Sequence, residues 1–360
     1  MKTIFNYLRF AVLSVAVACV LTSCEKDDKG NENPVPKEGT GVFILSEGSW
    51  GGNNSTISFY DFDSGETYFD VANGELGDTG MDMLICGGKA YVTVSTSGTI
   101  VVLDKVSKEI IKKIDVKDGA GQSREPRYLT SNAGKVYAST YDGNVIRIDT
   151  LNLNIDGITA VGANPEGIAY ANGKLYVANS GGTNYPNVDN TVSVVGINNF
   201  QEEKKITVGK NPYILKADNY GNVYITCRSI WNADYTAIET PGCFQYLNTT
   251  TGEVTTIPNI AALKIAIAGD FCYYYDDSYP ANIGVYNTKM KSVEKSNFVT
   301  DGTSITTPYG IGVDPETKEV YILEAGDYVS PGTASVFDAS GKKQRTLDVG
   351  INPNTIAFYR

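Results

Sequence analysis

The chain has 360 residues and a formal charge of −11, and it contains 37 glycines, 24 tyrosines and no histidine. The length allows one large domain or two of ordinary size. The missing histidine excludes Ser-His-Asp and Cys-His catalysis and every histidine-ligated metal site. The negative charge argues against nucleic acid or anionic lipid as a binding partner, so no nucleic-acid binding is expected.

The N-terminus has the pattern of a secretory signal. Lys2 and Arg9 are basic, and residues 10–21 form an apolar stretch that is too short to span a membrane as a helix. The stretch ends in Leu21-Thr22-Ser23-Cys24, which resembles the lipobox of bacterial lipoproteins. The resemblance implies that residues 1–23 are a lipoprotein signal peptide and that Cys24 carries the acyl chains. Contact with a membrane would then be through the lipid anchor only.

Residues 24–39 are predicted to be a lipid-anchored acidic tether. Glu25-Lys26-Asp27-Asp28 follows Cys24 directly, and two prolines stand between this run and the first predicted strand. Acidic residues at this place resemble the export signal of Bacteroidetes surface lipoproteins. The expected location is therefore the outer membrane, with the folded domain exposed at the cell surface.

Residues 40–360 are built from a repeated phrase. Gly-Lys-(apolar)-Tyr and its variants recur at seven aligned positions, with spacings of 48, 46, 39, 48, 48 and 49 residues. The aligned residues are Phe43, Tyr91, Tyr137, Tyr176, Tyr224, Cys272 and Tyr321. Each copy also holds alternating apolar strands separated by turn residues, which gives four strands per copy. Four strands in a period of about 40 to 50 residues predict an all-β, seven-bladed β-propeller with four antiparallel strands per blade.

The two ends of the repeat region complement each other. The region begins at the second strand of a blade, at residues 42–45, and residues 353–358 have the form of a first strand with no blade after it. We therefore expect the C-terminal strand to supply the inner strand of the first blade. Such pairing closes the ring and leaves no free edge at the join.

The phrase Pro-Glu-Gly-Ile-Ala followed by Gly-Lys-Leu-Tyr-Val-Ala-Asn, at residues 165–179, resembles the YVTN/YncE family of seven-bladed propellers. Together with the lipobox and the acidic tether, the chain resembles the BtuG-type cobalamin-binding surface lipoproteins of Bacteroidetes. The resemblance implies cobalamin or another corrinoid as the ligand. It also implies a TonB-dependent outer-membrane transporter, which the propeller would cap, as the partner. No cofactor is expected.

Loops on one face of the propeller are predicted to carry the binding residues. If the strands of a blade are lettered a to d from the channel outward, the b–c and d–a connections emerge on the same face. The b–c loops absorb the differences in blade length, and aromatic side chains at loop tips gain contact area when they meet a ligand. The b–c loops contribute Trp50, Tyr141, Tyr185, Trp231, Tyr235, Tyr279 and Tyr328, and the d–a connections contribute Asp82, Arg127, Glu166, Tyr213, Tyr309 and Asn354.

Three functions fit such a face. The first is capture of a ligand, with cobalamin the leading candidate, and its delivery to an outer-membrane transporter. The second is adhesion or glycan binding, in which the aromatic rings stack on sugars. The third is catalysis of the lactonase or lyase kind that related propellers perform. Without histidine, acid–base steps would rely on carboxylates, Lys or Tyr, and Glu166 with Arg127 is the pairing to inspect. We expect a binding protein and not an enzyme.

Cys227 and Cys243 flank residues 228–242 at the base of a predicted hairpin. A disulfide between them suits an exported protein, and buried free thiols are an equal alternative. Asp189, Asp276 and Asp277 could hold Ca2+ together with backbone oxygens, but they do not have the spacing of an EF-hand loop, so no metal site is predicted.

Overall fold

Seven four-stranded antiparallel sheets follow one another in the computed structural model, which describes residues 39–278 and 280–360. The predicted signal peptide, the lipidated Cys24, the tether up to residue 38 and Tyr279 lie outside the described residues. Within each sheet the strands are hydrogen-bonded in the order a-b-c-d. The prediction of an all-β propeller with seven blades of four strands is confirmed.

The bounds of the strands follow the repeat. Blade 1 consists of Pro353–Tyr359, Gly41–Ser46, Thr56–Asp61 and Thr67–Tyr68, blade 2 of Gly80–Cys86, Lys89–Val94, Thr99–Asp104 and Ile110–Asp115, and blade 3 of Pro126–Asn132, Lys135–Thr140, Asn144–Asp149 and Ile155–Ala160. Blade 4 consists of Pro165–Ala171, Lys174–Asn179, Thr191–Gly196 and Gln201–Thr207, and blade 5 of Pro212–Ala217, Asn222–Cys227, Cys243–Asn248 and Val254–Ile257. Blade 6 consists of Ala262–Ala268, Phe271–Asp276, Ile283–Asn287 and Ser292–Lys295, and blade 7 of Pro308–Val313, Val320–Glu324, Pro331–Phe337 and Lys343–Ile351.

Two b–c loops have secondary structure of their own. Ile230–Trp231 pairs with Ile238–Thr240 in blade 5, and Gly182–Asn184 forms a 3-10 turn in blade 4. In the described part of the chain, no helix has the length and the apolar composition that crossing a membrane requires.

The hydrophobic core lies between neighbouring blades. Phe43 and Phe59 of blade 1 pack with Val92 on one side of blade 2, whereas Tyr91 on its other side packs with Val136 of blade 3. Strands b and c are therefore buried on both faces, which explains their nearly continuous apolar sequences. Outer strands such as Ile155–Ala160 alternate between half-buried and exposed residues because solvent covers their free edge.

The C-terminal strand closes the ring, as predicted. Gly41–Ser46 pairs antiparallel with Pro353–Tyr359 on one side and with Thr56–Asp61 on the other. The Arg360 guanidinium, one residue after the last strand, forms an ion pair with the buried Asp314 of blade 7. Blade 1 is thus assembled from both ends of the repeat region.

The b–c and d–a connections form one face of the ring, which we call the upper face; the a–b and c–d turns form the lower face. The longest b–c loops are residues 47–55, 180–190 and 228–242. Neighbouring upper loops contact each other: the Tyr185 hydroxyl donates to the Trp231 carbonyl oxygen at 2.7 Å and accepts the Trp231 N–H at 2.6 Å. These contacts connect the upper loops of blades 4 and 5.

Candidate functional site

One side chain from each blade lines the upper end of the central channel, and we call this set the mouth ring. In every blade, the residue that follows the aligned repeat position pairs with a strand a residue, as Ala138 pairs with Leu129 and Ile225 with Leu215. The mouth-ring residue stands two positions before this strand a residue. A register shift next to it changes the direction of the backbone. The mouth ring consists of Asn354, Met81, Arg127, Glu166, Tyr213, Lys264 and Tyr309.

The register differs from the sequence prediction in two blades. For blade 2 we predicted Asp82, but the register places Met81 in the mouth ring and Asp82 one row deeper in the channel wall. There Asp82 Oδ2 accepts the N–H of Leu129 at 2.8 Å, and burial raises the pKa of its carboxyl. For blade 6 we predicted no residue, whereas Lys264 occupies the position. The bulge in strand a cannot be read from the apolar pattern, which is the reason for both differences.

Arg127 and Glu166 are brought together, as their pairing requires. Arg127 Nε and Nη2 donate to the two carboxylate oxygens of Glu166, both at 3.0 Å, and the Glu166 side chain is only 2% exposed. The Arg228 guanidinium lies 3.7 Å from the same carboxylate. Arg127 also lies over the Tyr141 ring, 4.9 Å from its centroid. Two guanidinium groups therefore share one buried carboxylate.

A tyrosine pair lies beside these charges. The Tyr128 hydroxyl donates to the Tyr213 hydroxyl at 2.8 Å, and the Arg228 guanidinium stacks on the Tyr213 ring, 3.3 Å from its centroid. Burial raises the pKa of Tyr128 well above its ordinary value. Burial acts in the same direction on Tyr213, but the cations of Arg228 and Lys264 outweigh it and lower the pKa of Tyr213. Two cationic side chains therefore act on the Tyr213 hydroxyl.

The next part of the mouth, across blades 6, 7 and 1, is closed by Lys264, Tyr309 and Glu47. Lys264 Nζ donates to the Tyr309 carbonyl oxygen at 2.7 Å and to that of Asn354 at 3.4 Å. The Tyr309 hydroxyl donates to Glu47 Oε2 at 2.7 Å, and burial, followed by the charge of Glu47, raises the pKa of Tyr309. Asn354 is buried, and its amide donates to the Gly80 carbonyl oxygen at 2.8 Å. These contacts fix the mouth between blades 6, 7 and 1.

A cavity of about 350 Å³ lies at the channel mouth. Its polar and aromatic lining combines six mouth-ring residues with side chains from the upper ends of other strands. The lining residues are Glu47, Met81, Arg127, Tyr128, Tyr213, Arg228, Leu263, Lys264, Tyr275, Pro308, Tyr309, Tyr328 and Asn354.

The predicted loop aromatics form a rim around this cavity, and only some of their rings contact another aromatic ring. The Tyr185 and Tyr235 rings are nearly parallel with centroids 6.3 Å apart, and Tyr328 meets Tyr309 edge to face at 6.0 Å. Trp50 is 87% exposed, and its side chain has no partner among the described residues. Tyr279 lies outside the described residues, so its predicted place on the rim stays a prediction.

Sequence reasoning missed several residues of the cavity. Glu47 and Arg228 stand four residues after the aligned repeat positions 43 and 224, at the place that Tyr141 occupies in blade 3. Tyr275 stands three residues after position 272. A reading of these positions across the seven copies would have found them, because equivalent residues of a repeat face the same channel.

Cys227 and Cys243 face each other across strands b and c of blade 5, and the structure shows both as free thiols. The Cys227 thiol and the Cys243 sulfur are hydrogen-bonded, which raises the pKa of Cys227 and lowers that of Cys243. Among residues 39–278 and 280–360, no cluster of acidic and cysteine side chains is arranged to hold a metal ion.

The fold and its mouth define a seven-bladed β-propeller with a ligand-sized cavity at the upper end of its channel. The family described as "Domain of unknown function (DUF5074)" matches residues 40–354, and the chain belongs to this family. No curated protein matches the sequence.

Several solved structures share the fold. Hydrazine synthase of Kuenenia stuttgartiensis is similar with a TM-score of 0.62 and 12% identity, over 77% of this chain and 89% of that chain. A quinonprotein alcohol dehydrogenase-like protein of Bacteroides thetaiotaomicron is similar with a TM-score of 0.60 and 17% identity, over 88% of this chain and 78% of that chain. Dihydro-heme d1 dehydrogenase NirN is similar with a TM-score of 0.56 and 11% identity, over 88% of this chain and 65% of that chain. At these identities the likeness concerns the fold alone.

Proposed function

We propose that this protein is a surface lipoprotein whose upper face captures a large ligand and delivers it to a TonB-dependent outer-membrane transporter. Cobalamin or another corrinoid is the first candidate ligand. The observation that carries the proposal is the cavity of about 350 Å³ at the channel mouth, within a rim of exposed aromatic loops. Its volume lies at the lower end of the range of small-molecule sites, so a ligand as large as a corrinoid would also contact the aromatic rim. The location and the delivery step rest on the resemblance of the N-terminus and of the blade phrases.

The mouth ring suits tight binding because it is rigid. Its residues stand on strand a of each blade and not on loops, and Arg127, Tyr213 and Asn354 are each held by side-chain contacts. A preformed site loses little conformational entropy when the ligand binds. The exposed aromatic loops add contact area around this fixed base.

We propose binding and not catalysis because Glu166, the candidate acid–base residue, is already hydrogen-bonded to Arg127. Both oxygens of Glu166 accept hydrogen bonds from Arg127, and the side chain is almost fully buried. A general base needs an oxygen within hydrogen-bond reach of a substrate proton. Glu166 instead serves to position the two guanidinium groups.

Glycan binding is the second candidate, and the exposed rings of the rim favour it. Trp50 is 87% exposed and Tyr235 is 69% exposed, and both stand at loop tips. Exposed aromatic rings offer flat faces on which sugar rings stack. This function would use the rim more than the cavity.

Titration of cyanocobalamin tests the proposal. The chain from residue 33 keeps every strand of the ring, and Trp fluorescence and heat are followed together. Saturable one-to-one binding is expected. The absence of binding at micromolar concentrations would reject the corrinoid as the ligand. The same protein would then be tested for glycan binding on a polysaccharide array.

A matched pair of variants locates the site. Tyr235→Ala removes an exposed ring from the upper rim, and Tyr220→Ala removes an exposed ring from the lower face. Both variants should melt like the original chain because neither ring belongs to the core. Only Tyr235→Ala should weaken binding, and equal effects of the two substitutions would argue against the upper face.

A further inference from the structure

The charge of the cavity differs in sign from that of the chain. Arg127, Arg228 and Lys264 line it, and Glu47 is the single carboxylate among its described lining residues. Glu166 compensates one of the two guanidinium groups from behind. The chain as a whole has a formal charge of −11. A positive pocket in an acidic protein indicates a ligand of negative charge.

The Arg228 guanidinium has donors that the protein does not use. Arg127 occupies both oxygens of Glu166, so the nearest carboxylate oxygen is 3.7 Å from Arg228. The Tyr213 hydroxyl is a hydrogen-bond partner of this side chain, whereas no carboxylate or carbonyl of the described residues accepts a hydrogen bond from it. Contact with the Tyr213 ring restricts the position of the guanidinium, whose N–H groups all lie in its own plane.

Tyr213 supplies a further donor. Its hydroxyl oxygen already accepts from Tyr128, so its own proton is free to be donated. The cations that lower its pKa, Arg228 and Lys264, are those that an anion would meet in the same cavity. Arg228, Tyr213 and Lys264 thus come from the neighbouring blades 5 and 6, and all three line the same cavity.

From this arrangement we propose that the cavity binds an oxyanion group, a carboxylate or a phosphate, at the side formed by Arg228, Tyr213 and Lys264. The planar guanidinium donates two parallel hydrogen bonds to such a group, and the Tyr213 hydroxyl donates a third. The inference deepens the proposed function and rests on it, because it assigns an anionic group to the ligand that the upper face captures.

Simple salts test the inference without any knowledge of the natural ligand. Sodium phosphate and sodium acetate are titrated separately into the chain from residue 33, with ionic strength held constant by sodium chloride. Heat and tryptophan fluorescence are followed, since Trp231, one of the two tryptophans, stands three residues after Arg228. At least one salt should bind saturably in the millimolar range; phosphate alone would indicate a tetrahedral oxyanion, and acetate a carboxylate.

Variants of two arginines and one tyrosine show whether the salts bind at the proposed site. Arg228→Gln should weaken the binding by about tenfold or more, because a charge-assisted partner is lost. Arg147→Gln is the matched control, since Arg147 pairs with Asp156 on the outer strands of blade 3. Tyr213→Phe keeps the ring and removes only the hydroxyl, so it tests the same side if Arg228→Gln melts early.

Each outcome decides the inference. Saturable binding that Arg228→Gln or Tyr213→Phe weakens, and that Arg147→Gln leaves unchanged, supports the oxyanion site. The absence of saturable binding for both salts, or equal binding by all variants, overturns it. Cyanocobalamin titrations of the same variants separate the two proposals, because the corrinoid can bind without a salt effect and a salt can bind without the corrinoid.

Discussion

Arg127 and Glu166 occupy equivalent positions in neighbouring blades and form a two-pronged ion pair across the blade interface, with both contacts at 3.0 Å. The pair neutralises the mouth ring in blades 3 and 4. It leaves Arg228 and Lys264 to set the sign of the potential in the cavity. The ion pair therefore has a structural role at the blade interface and an electrostatic role at the mouth.

The first prediction concerns the shared carboxylate. Glu166→Gln should lower the free energy of unfolding by about 3–5 kcal/mol, because it leaves two nearby guanidinium groups without their buried counter-ion. Urea unfolding at neutral pH measures the change. Glu203→Gln is the control: Glu203 pairs with Lys174 at a partly exposed site and should cost no more than about 1 kcal/mol. Similar costs for both variants would show that the Arg127–Glu166 pair is not special.

The second prediction concerns the two tryptophans. Trp50→Ala and Trp231→Ala should each weaken binding of the captured ligand by about fivefold or more, with melting temperatures close to that of the original chain. Both residues stand on upper loops, and Trp50 is 87% exposed. Leu151→Ala, at a 91% exposed position on the lower face, should change neither property. If both tryptophan variants bind normally and melt early, the aromatic rim is a structural feature and not a binding surface.

The third prediction concerns the cysteines of blade 5. Cys227 and Cys243 are cross-strand neighbours, and the lowered pKa of Cys243 makes its thiolate available for exchange. After incubation with oxidised glutathione, the chain from residue 33 should retain two titratable thiols, those of Cys86 and Cys272, out of four. A bridge that closes a loop of this length should add about 3 kcal/mol to the free energy of unfolding. Four titratable thiols in the treated, denatured chain would contradict the disulfide.

The fourth prediction concerns the buried carboxyl in the channel wall. Burial raises the pKa of Asp82 in the folded state, so the protein is stabilised by protonation of this group at low pH. That contribution is fully present below the ordinary aspartate pKa, near 4, and is lost as pH rises through the raised value. Asp82→Asn should therefore unfold at a higher urea concentration than the original chain at neutral pH, and the difference should vanish in acid.

The expected gain is about 1.4 kcal/mol for each unit by which the pKa is raised. The asparagine keeps an oxygen that accepts the N–H of Leu129, so the hydrogen bond of Asp82 is preserved. Asp115→Asn is the control, because the Asp115 side chain is exposed, and it should change stability by less than about 0.5 kcal/mol at either pH. A loss of stability on Asp82→Asn at neutral pH would mean that the charge of Asp82 is favourable in the channel.

Most of the fold could be predicted from the sequence because a propeller repeats one local pattern. The spacing of the aligned residues gave the number of blades, and the unpaired first strand at the C-terminus gave the closure by Pro353–Tyr359. The upper location of the long loops followed from the antiparallel order of strands. For the site, the sequence predicted that the d–a connections would contribute Arg127, Glu166, Tyr213, Tyr309 and Asn354, and these residues stand in the mouth ring.

The rest of the site depends on contacts that the sequence does not contain. The register shift in strand a puts Met81 and not Asp82 at the mouth, since a one-residue change of register moves every side chain to another row. Closure of the ring brings Tyr309 within 2.7 Å of Glu47, a residue from the other end of the chain, and stacking of blades joins Arg228 to Glu166. The sequence alone determined the architecture and the face that carries the loops, because these follow from local strand and turn chemistry. Only the tertiary structure decided which charges meet at the channel mouth, because seven blades must be closed into a ring before their upper ends surround one cavity.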